Sequence, residues 1–136
     1  MSYADWAAEL ARTLLEVPLP RRWSHVQGAA AQARSLAPIL GDNADLLEAA
    51  AWLHDIGYAP VLADTSLHPL DGARYLRDVE QANGMLCRLV ANHSCAIIEA
   101  EERYGPDDVV TRFIRRAEPE LVSSVVRTGQ RLFLAQ

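Results

Sequence analysis

The chain has 136 residues, of which 50% are hydrophobic and 23% are charged, and this is the composition of one ordinary globular domain. Its net charge of -5 argues against a nucleic acid as the main partner, because binding to a phosphate backbone relies on a basic face. All 13 basic residues are arginine, which excludes a Schiff-base lysine and the lysine of a Walker phosphate loop. The sequence contains no apolar run as long as a membrane span, and the N-terminus carries acidic residues where a signal peptide carries basic ones. We therefore expect a cytoplasmic protein without a membrane partner.

The spacing of apolar residues predicts an all-α fold. Apolar side chains recur every three or four residues, and capping residues, prolines and glycines separate the segments. The sequence shows no hairpin signal, internal repeat or long linker, so residues 1–136 should form a single compact helical bundle of about six to seven helices. The predicted helices span about 3–16, 20–40, 43–57, 68–82 and 85–104, followed by a less regular helical tail at 105–136.

Particular residues should set the helix boundaries. Ser2 can cap the first helix, and Pro38 can end the regular part of the second before Gly41 stops it. Asp42 or Asn43 can cap the third helix, and Gly57 should end it in the left-handed conformation. Residues 58–67 contain a proline and no sustained period, which is typical of a loop.

Asp55 is the most informative single residue. In the predicted last turn of the third helix, a carboxylate faces the negative end of the helix dipole and is disfavoured unless a cation compensates it. A divalent metal would do so, with His54 as a second ligand, and imidazole with carboxylate suits manganese, iron, zinc, cobalt or nickel. The alternative is that His54 stabilises the helix end while Asp55 pairs with an arginine, as isolated His–Asp pairs commonly do.

The surrounding sequence favours the metal interpretation. RRWSHVQGAAAQA, AAAWLHDIGYAP, HPLDGARYLR and VANHSCAIIEAEE follow one another in this order. Together they resemble the HD-domain superfamily of metal-dependent phosphohydrolases, over about residues 20–104. The resemblance implies that His25 is the first metal ligand and that His54 and Asp55 form the dyad that names the family. His68 and His93 resemble the two additional ligands of members that bind a second ion.

The resemblance also implies a reaction. One or two divalent transition metals would share Asp55, and metal-bound hydroxide would attack a nucleotide or another small phosphoester. Asp55 is then catalytic as well as metal-ligating. Arg22 is a catalytic candidate that could clamp the phosphate, although a solvated surface arginine is an equally good interpretation. Asp71 could orient His68, but a purely structural role in the first turn of its helix is the better interpretation.

One feature departs from the family pattern. That pattern closes with another metal-ligating aspartate on a later helix, and no aspartate occurs after Asp108. Glu118 and Glu120 are weaker substitutes. Either the tail has diverged, giving a degenerate domain that only binds a ligand, or the chain is a truncated form of a longer enzyme.

Three functions follow in order of preference. The first is the metal-dependent phosphohydrolase, acting on a small phosphorylated molecule. The second is a non-catalytic ligand-binding domain of the same fold, and the third is a di-iron oxygenase, a class that shares the additional histidines. The apolar C-terminal segment favours a homodimer in any of these cases.

Overall fold

The described part of the protein is helical throughout. The computed structural model describes residues 1–92, 105–108 and 112, and these residues contain no β-strand. This confirms the predicted all-α fold. The described ranges contain six α-helical segments and two 3-10 turns, whereas the end of the predicted fifth helix and most of the tail lie outside them. The segments are α1 (Tyr3–Leu15), α2 (Pro20–Ser35), α3 (Ala37–Leu40), α4 (Ala44–Leu53), α5 (His68–Asp78) and α6 (Gly84–Ala91), with the 3-10 turns at Gly41–Asn43 and Ile56–Tyr58.

The boundaries of α1, α2 and α3 agree with the capping and helix-ending residues in the sequence. The Ser2 hydroxyl accepts a hydrogen bond from the Asp5 backbone N–H at 3.1 Å, and the Asp5 carboxylate accepts one from the Ser2 N–H. This capping box satisfies backbone N–H groups that a helix start leaves without partners. As predicted for Pro38, α2 stops early, at Ser35, and the chain restarts as the single turn α3. Gly41 then ends α3 with a φ of 56°, a conformation that glycine adopts without steric cost.

Helix α4 is the centre of the bundle. It packs against α1 and α2 through small side chains, which allow the helix axes to approach closely. Its first turn also supports α1, because the Asp45 carboxylate accepts the backbone N–H groups of Tyr3 and Ala4 at 3.0 Å. The buried alanines of these three helices include Ala7, Ala11, Ala29, Ala30, Ala33, Ala49, Ala50 and Ala51.

The end of α4 differs from the prediction. The helix ends at Leu53, His54 is its C-cap, and Asp55 follows with a φ of -109°. Gly57 does not adopt the left-handed conformation, which among the described glycines occurs at Gly41 and Gly105, so that prediction was wrong. Gly57 lies instead in the 3-10 turn Ile56–Tyr58, where a Cβ atom would collide with the backbone carbonyl of His68. Glycine is therefore required here for close packing and not for its backbone freedom.

The loop before α5 is held to that helix by Asp71. Its carboxylate accepts hydrogen bonds from the backbone N–H of Asp64 at 3.0 Å, the backbone N–H of Thr65 and the Thr65 hydroxyl at 2.9 Å. Asp71 is only 4% exposed, and these bonds compensate for its desolvation. Its role is structural, as preferred from the sequence, but its side-chain hydrogen bonds go to the loop and not to the first turn of its own helix.

No helix in the described ranges combines the length and the apolar character that crossing a bilayer requires.

Candidate metal centre

Two helices bring the predicted ligands together. His25 lies in the second turn of α2, and α2 crosses α4 so that His25 meets His54 at the C-terminal end of α4. The crossing is fixed by the Trp23 and Trp52 rings, which stack with centroids 5.6 Å apart. Both tryptophans pack against the core. Glu48 reinforces the contact.

Glu48 connects both helices. Its carboxylate on α4 accepts two hydrogen bonds from Arg34 of α2, at 2.9 and 3.1 Å, and one from the Trp52 indole N–H at 3.2 Å. A two-point guanidinium–carboxylate contact restricts sliding more than a single bond does. The stacked rings and this ion pair thus set the register at which His25 faces α4.

Three potential ligand atoms converge between the helices. The His25 and His54 Nε2 atoms are 3.1 Å apart, and each lies 3.5 Å from the Asp55 Oδ2 atom. Atoms bonded to one ion at about 2.1 Å are separated by about 3.0 Å at octahedral angles and about 3.4 Å at tetrahedral angles. The observed spacings match one triangular face of either geometry. The three side chains can therefore hold one divalent transition metal.

The protonation of His54 suits coordination. Its Nδ1 atom lies 2.6 Å from the Ala51 carbonyl oxygen, which can only accept, so Nδ1 carries the proton. The Nε2 lone pair then points toward His25 and Asp55, as it does in metal-ligating histidines whose other nitrogen is anchored by a carbonyl. His54 and Asp55 are 2% and 3% exposed, respectively. Two nitrogen lone pairs and a carboxylate oxygen in such a site repel one another unless a proton or a cation lies between them.

The second oxygen of Asp55 faces another histidine. The His68 Nε2 atom lies 3.4 Å from Asp55 Oδ1, whereas His25 and His54 contact Oδ2. His68 is the first residue of α5, and the close packing at Gly57 brings this helix start against the dyad. A carboxylate that presents different oxygens to different histidines has the arrangement needed to bridge two ions.

Arg22 and Tyr58 close the exposed side of the site. The Arg22 Nη1 atom is 3.5 Å from Asp55 Oδ2, and its guanidinium carbon lies 3.9 Å over the centroid of the Tyr58 ring. The His68 ring stacks on the same tyrosine, with centroids 3.9 Å apart and planes inclined by 18°. Two planar groups cannot share one ring face at that distance, so Tyr58 lies between Arg22 and His68.

The structure brings together some of the site residues predicted from the sequence and does not describe others. Arg22, His25, His54, Asp55 and His68 lie together, whereas His93, Glu118 and Glu120 are outside the described residues. Metal ligation by each of them stays a prediction. Asp71 does not take the alternative role of orienting His68, because its hydrogen bonds go to the loop.

Tyr58 was missed by sequence reasoning. Its only signal was an aromatic residue three positions after Asp55, and in an irregular loop the sequence does not show which side chains such a residue contacts.

The fold and the site together define a helical domain with a candidate histidine–aspartate metal centre between two packed helices. A sequence profile of the HD domain matches residues 22–120, which is more than half of the chain. The protein belongs to the HD-domain family. The match extends past the four stretches identified above into the tail. Neither the curated proteins nor the solved structures include a match to the chain.

Proposed function

We propose that the protein is a metal-dependent phosphohydrolase that acts on a nucleotide or another small phosphoester. The observation that carries the proposal is the triangle of His25 Nε2, His54 Nε2 and Asp55 Oδ2, with separations of 3.1 to 3.5 Å. Membership of the HD-domain family supports it, since metal-dependent phosphohydrolases are typical of this superfamily. The His68 contact with the other Asp55 oxygen supports a second ion in the same site.

The residues of the site have separate tasks in this proposal. His25, His54 and Asp55 would hold the first ion, and the Ala51 carbonyl keeps His54 in the tautomer that can ligate. His68, with His93 as its predicted partner, would hold a second ion. A divalent cation held here would polarise the phosphate and lower the pKa of a coordinated water, so no side-chain nucleophile is needed.

Arg22 would bind the phosphate. Its side chain is 43% exposed, whereas that of Asp55 is 4% exposed, so the guanidinium lies at the mouth of the site. A guanidinium offers paired N–H donors that match two phosphate oxygens. The positive charge there would also compensate the charge that develops on the phosphate during reaction.

A second candidate is a ligand-binding domain without catalysis. The specific observation in its favour is that no aspartate follows Asp108, so the closing carboxylate ligand of the family pattern has no obvious equivalent. With one carboxylate fewer, an ion would be held less tightly. This candidate predicts phosphate or nucleotide binding without turnover.

The test combines metal analysis with phosphoester hydrolysis. Protein purified without chelators is analysed for metal, then assayed with phosphomonoesters, phosphodiesters and nucleotides in the presence of Mn²⁺, Co²⁺, Ni²⁺ or Fe²⁺. His54→Ala tests the site, and Asp78→Asn, an exposed carboxylate on α5, is the matched control. We expect about one or two equivalents of metal and hydrolysis that is lost in His54→Ala and retained in Asp78→Asn.

Two outcomes would contradict the proposal. Absence of hydrolysis with every metal, in a protein that still binds nucleotides, would support the ligand-binding domain instead. Oxygen consumption and an iron chromophore without phosphoester hydrolysis would support the di-iron oxygenase.

A further inference from the structure

We propose that Tyr58 is a positioning residue that holds the Arg22 guanidinium at the mouth of the metal centre, where Arg22 binds the phosphate of the substrate. The inference rests on the proposed function, because it assumes that the ligand is a phosphate bound beside a metal. It adds the means by which the phosphate-binding group is kept in place.

Arg22 and a metal ion compete for the same atom. The Arg22 Nη1 contact to Asp55 Oδ2 is 3.5 Å long, at the limit for a hydrogen bond, and Oδ2 is also the oxygen nearest to both His25 and His54. An ion at this position would take the Oδ2 lone pair and repel the guanidinium, since both are cations. Asp55 is therefore a poor anchor for Arg22 when metal is bound.

The Tyr58 ring is an anchor that metal does not remove. It contacts the guanidinium by its face at 3.9 Å, an attraction between a cation and the ring electrons that does not involve Asp55. Within the described parts of the chain, the Arg22 side chain has its hydrogen bond and ion pair with Asp55 and its ring contact with Tyr58. Without the ring, a long arginine side chain that is nearly half exposed would lose its fixed position.

The ring itself is fixed from its other face. His68 stacks on Tyr58 at 3.9 Å, and the His68 backbone packs directly on Gly57, the residue before the tyrosine. The 3-10 turn Ile56–Tyr58 and the start of α5 thus form one rigid unit under the ring. Tyr58 is itself 38% exposed, and its ring is fixed by the stacked His68 ring on the face away from Arg22.

The experiment measures binding of inorganic phosphate to Mn²⁺-loaded protein by calorimetry, and the Mn²⁺ content of each variant. Tyr58→Leu removes the ring, Tyr58→Phe retains it as the conservative control, Arg22→Gln removes the guanidinium, and the double variant combines Tyr58→Leu with Arg22→Gln. We expect phosphate binding about threefold to tenfold weaker in Tyr58→Leu, in line with a cation–π contact. Arg22→Gln should weaken it about tenfold or more, as loss of a charged hydrogen bond does.

The phosphate affinities of the four variants together show whether Tyr58 acts through Arg22. Tyr58→Phe should bind phosphate within about twofold of the parent, and the double variant should bind no more weakly than Arg22→Gln, because the ring acts only through the arginine. Where hydrolysis is measurable, Tyr58→Leu should raise KM more than it lowers kcat. Additive losses in the double variant, equal losses in Tyr58→Phe and Tyr58→Leu, or loss of Mn²⁺ from Tyr58→Leu would each overturn the inference.

The inference and the proposed function can fail separately. Phosphate binding that depends on the ring, in a protein that hydrolyses no phosphoester, would support the inference and refute the hydrolase. If Mn²⁺-loaded parent protein does not bind phosphate, the inference is overturned whatever esters are hydrolysed.

Discussion

Replacement of Asp55 by asparagine tests the candidate metal centre most directly. Asparagine has nearly the same shape but lacks the negative charge. A unit negative charge about 2.1 Å from a divalent ion contributes about 4 kcal/mol of Coulomb attraction to ion binding, even at the dielectric constant of water. Asp55→Asn should therefore weaken binding of Mn²⁺ by about 10³-fold. In the absence of metal the variant should fold normally, because it relieves the desolvation of a carboxylate that is 3% exposed.

Thermal unfolding measured with increasing Mn²⁺ gives the expected size of the effect. An ion at 100 times its dissociation constant stabilises the folded state by about 2.7 kcal/mol. For a domain of this size that corresponds to a rise in Tm of about 10 °C. In Asp55→Asn the same Mn²⁺ concentration is about a tenth of the dissociation constant, so the rise should be below about 1 °C.

Asp71→Asn is the matched control, because Asp71 is equally buried but holds a loop and not the cluster. It should lower the Tm of the metal-free protein and leave the Mn²⁺-induced rise intact. A full rise in Asp55→Asn would refute the reasoning. Loss of the Mn²⁺-induced rise in Tm in Asp71→Asn alone would also refute it. The same holds if none of Mn²⁺, Fe²⁺, Co²⁺, Ni²⁺ and Zn²⁺ raises the Tm of the parent protein.

Two further predictions concern stability. Gly57→Ala places a Cβ atom against the His68 backbone carbonyl and should lower the free energy of unfolding, measured in urea titrations, by about 2 to 3 kcal/mol. Gly84→Ala, at the start of α6, should change it by less than about 1 kcal/mol. Equal effects of the two substitutions would contradict the packing argument. Burial, and then the hydrogen bond to Glu80, raise the pKa of Tyr75 from 10.0 to about 12. Because the folded-state pKa is the higher one, the stabilisation is complete below about pH 10 and is lost as the pH rises toward about 12. Tyr75→Phe should remove this decrease in the free energy of unfolding at alkaline pH. An unchanged pH profile in the variant would show that Tyr75 does not cause the decrease.

The helices and the family were predictable because their signals are local. A capping box joins Ser2 and Asp5 across three residues, and Gly41 ends α3 through its own backbone conformation. The order of the stretches around His25, His54 and Asp55 resembled the HD-domain family, and the profile match over residues 22–120 confirms it. The residue types of those three side chains already implied a metal that prefers nitrogen and oxygen ligands.

The predictions that failed or were missing depend on contacts between distant segments. Gly57 was expected to serve its own helix end, but its constraint is the His68 carbonyl, which approaches only when α5 has docked. Tyr58 has no local signal for its place between Arg22 and His68, because three separate elements create that stack.

The amino-acid order therefore specified which residues could ligate a metal, since ligand chemistry belongs to each side chain. The distances that make His25, His54 and Asp55 one site arose from the packing of α2 on α4, since tertiary contacts alone bring residues about 30 positions apart within bonding distance of one ion.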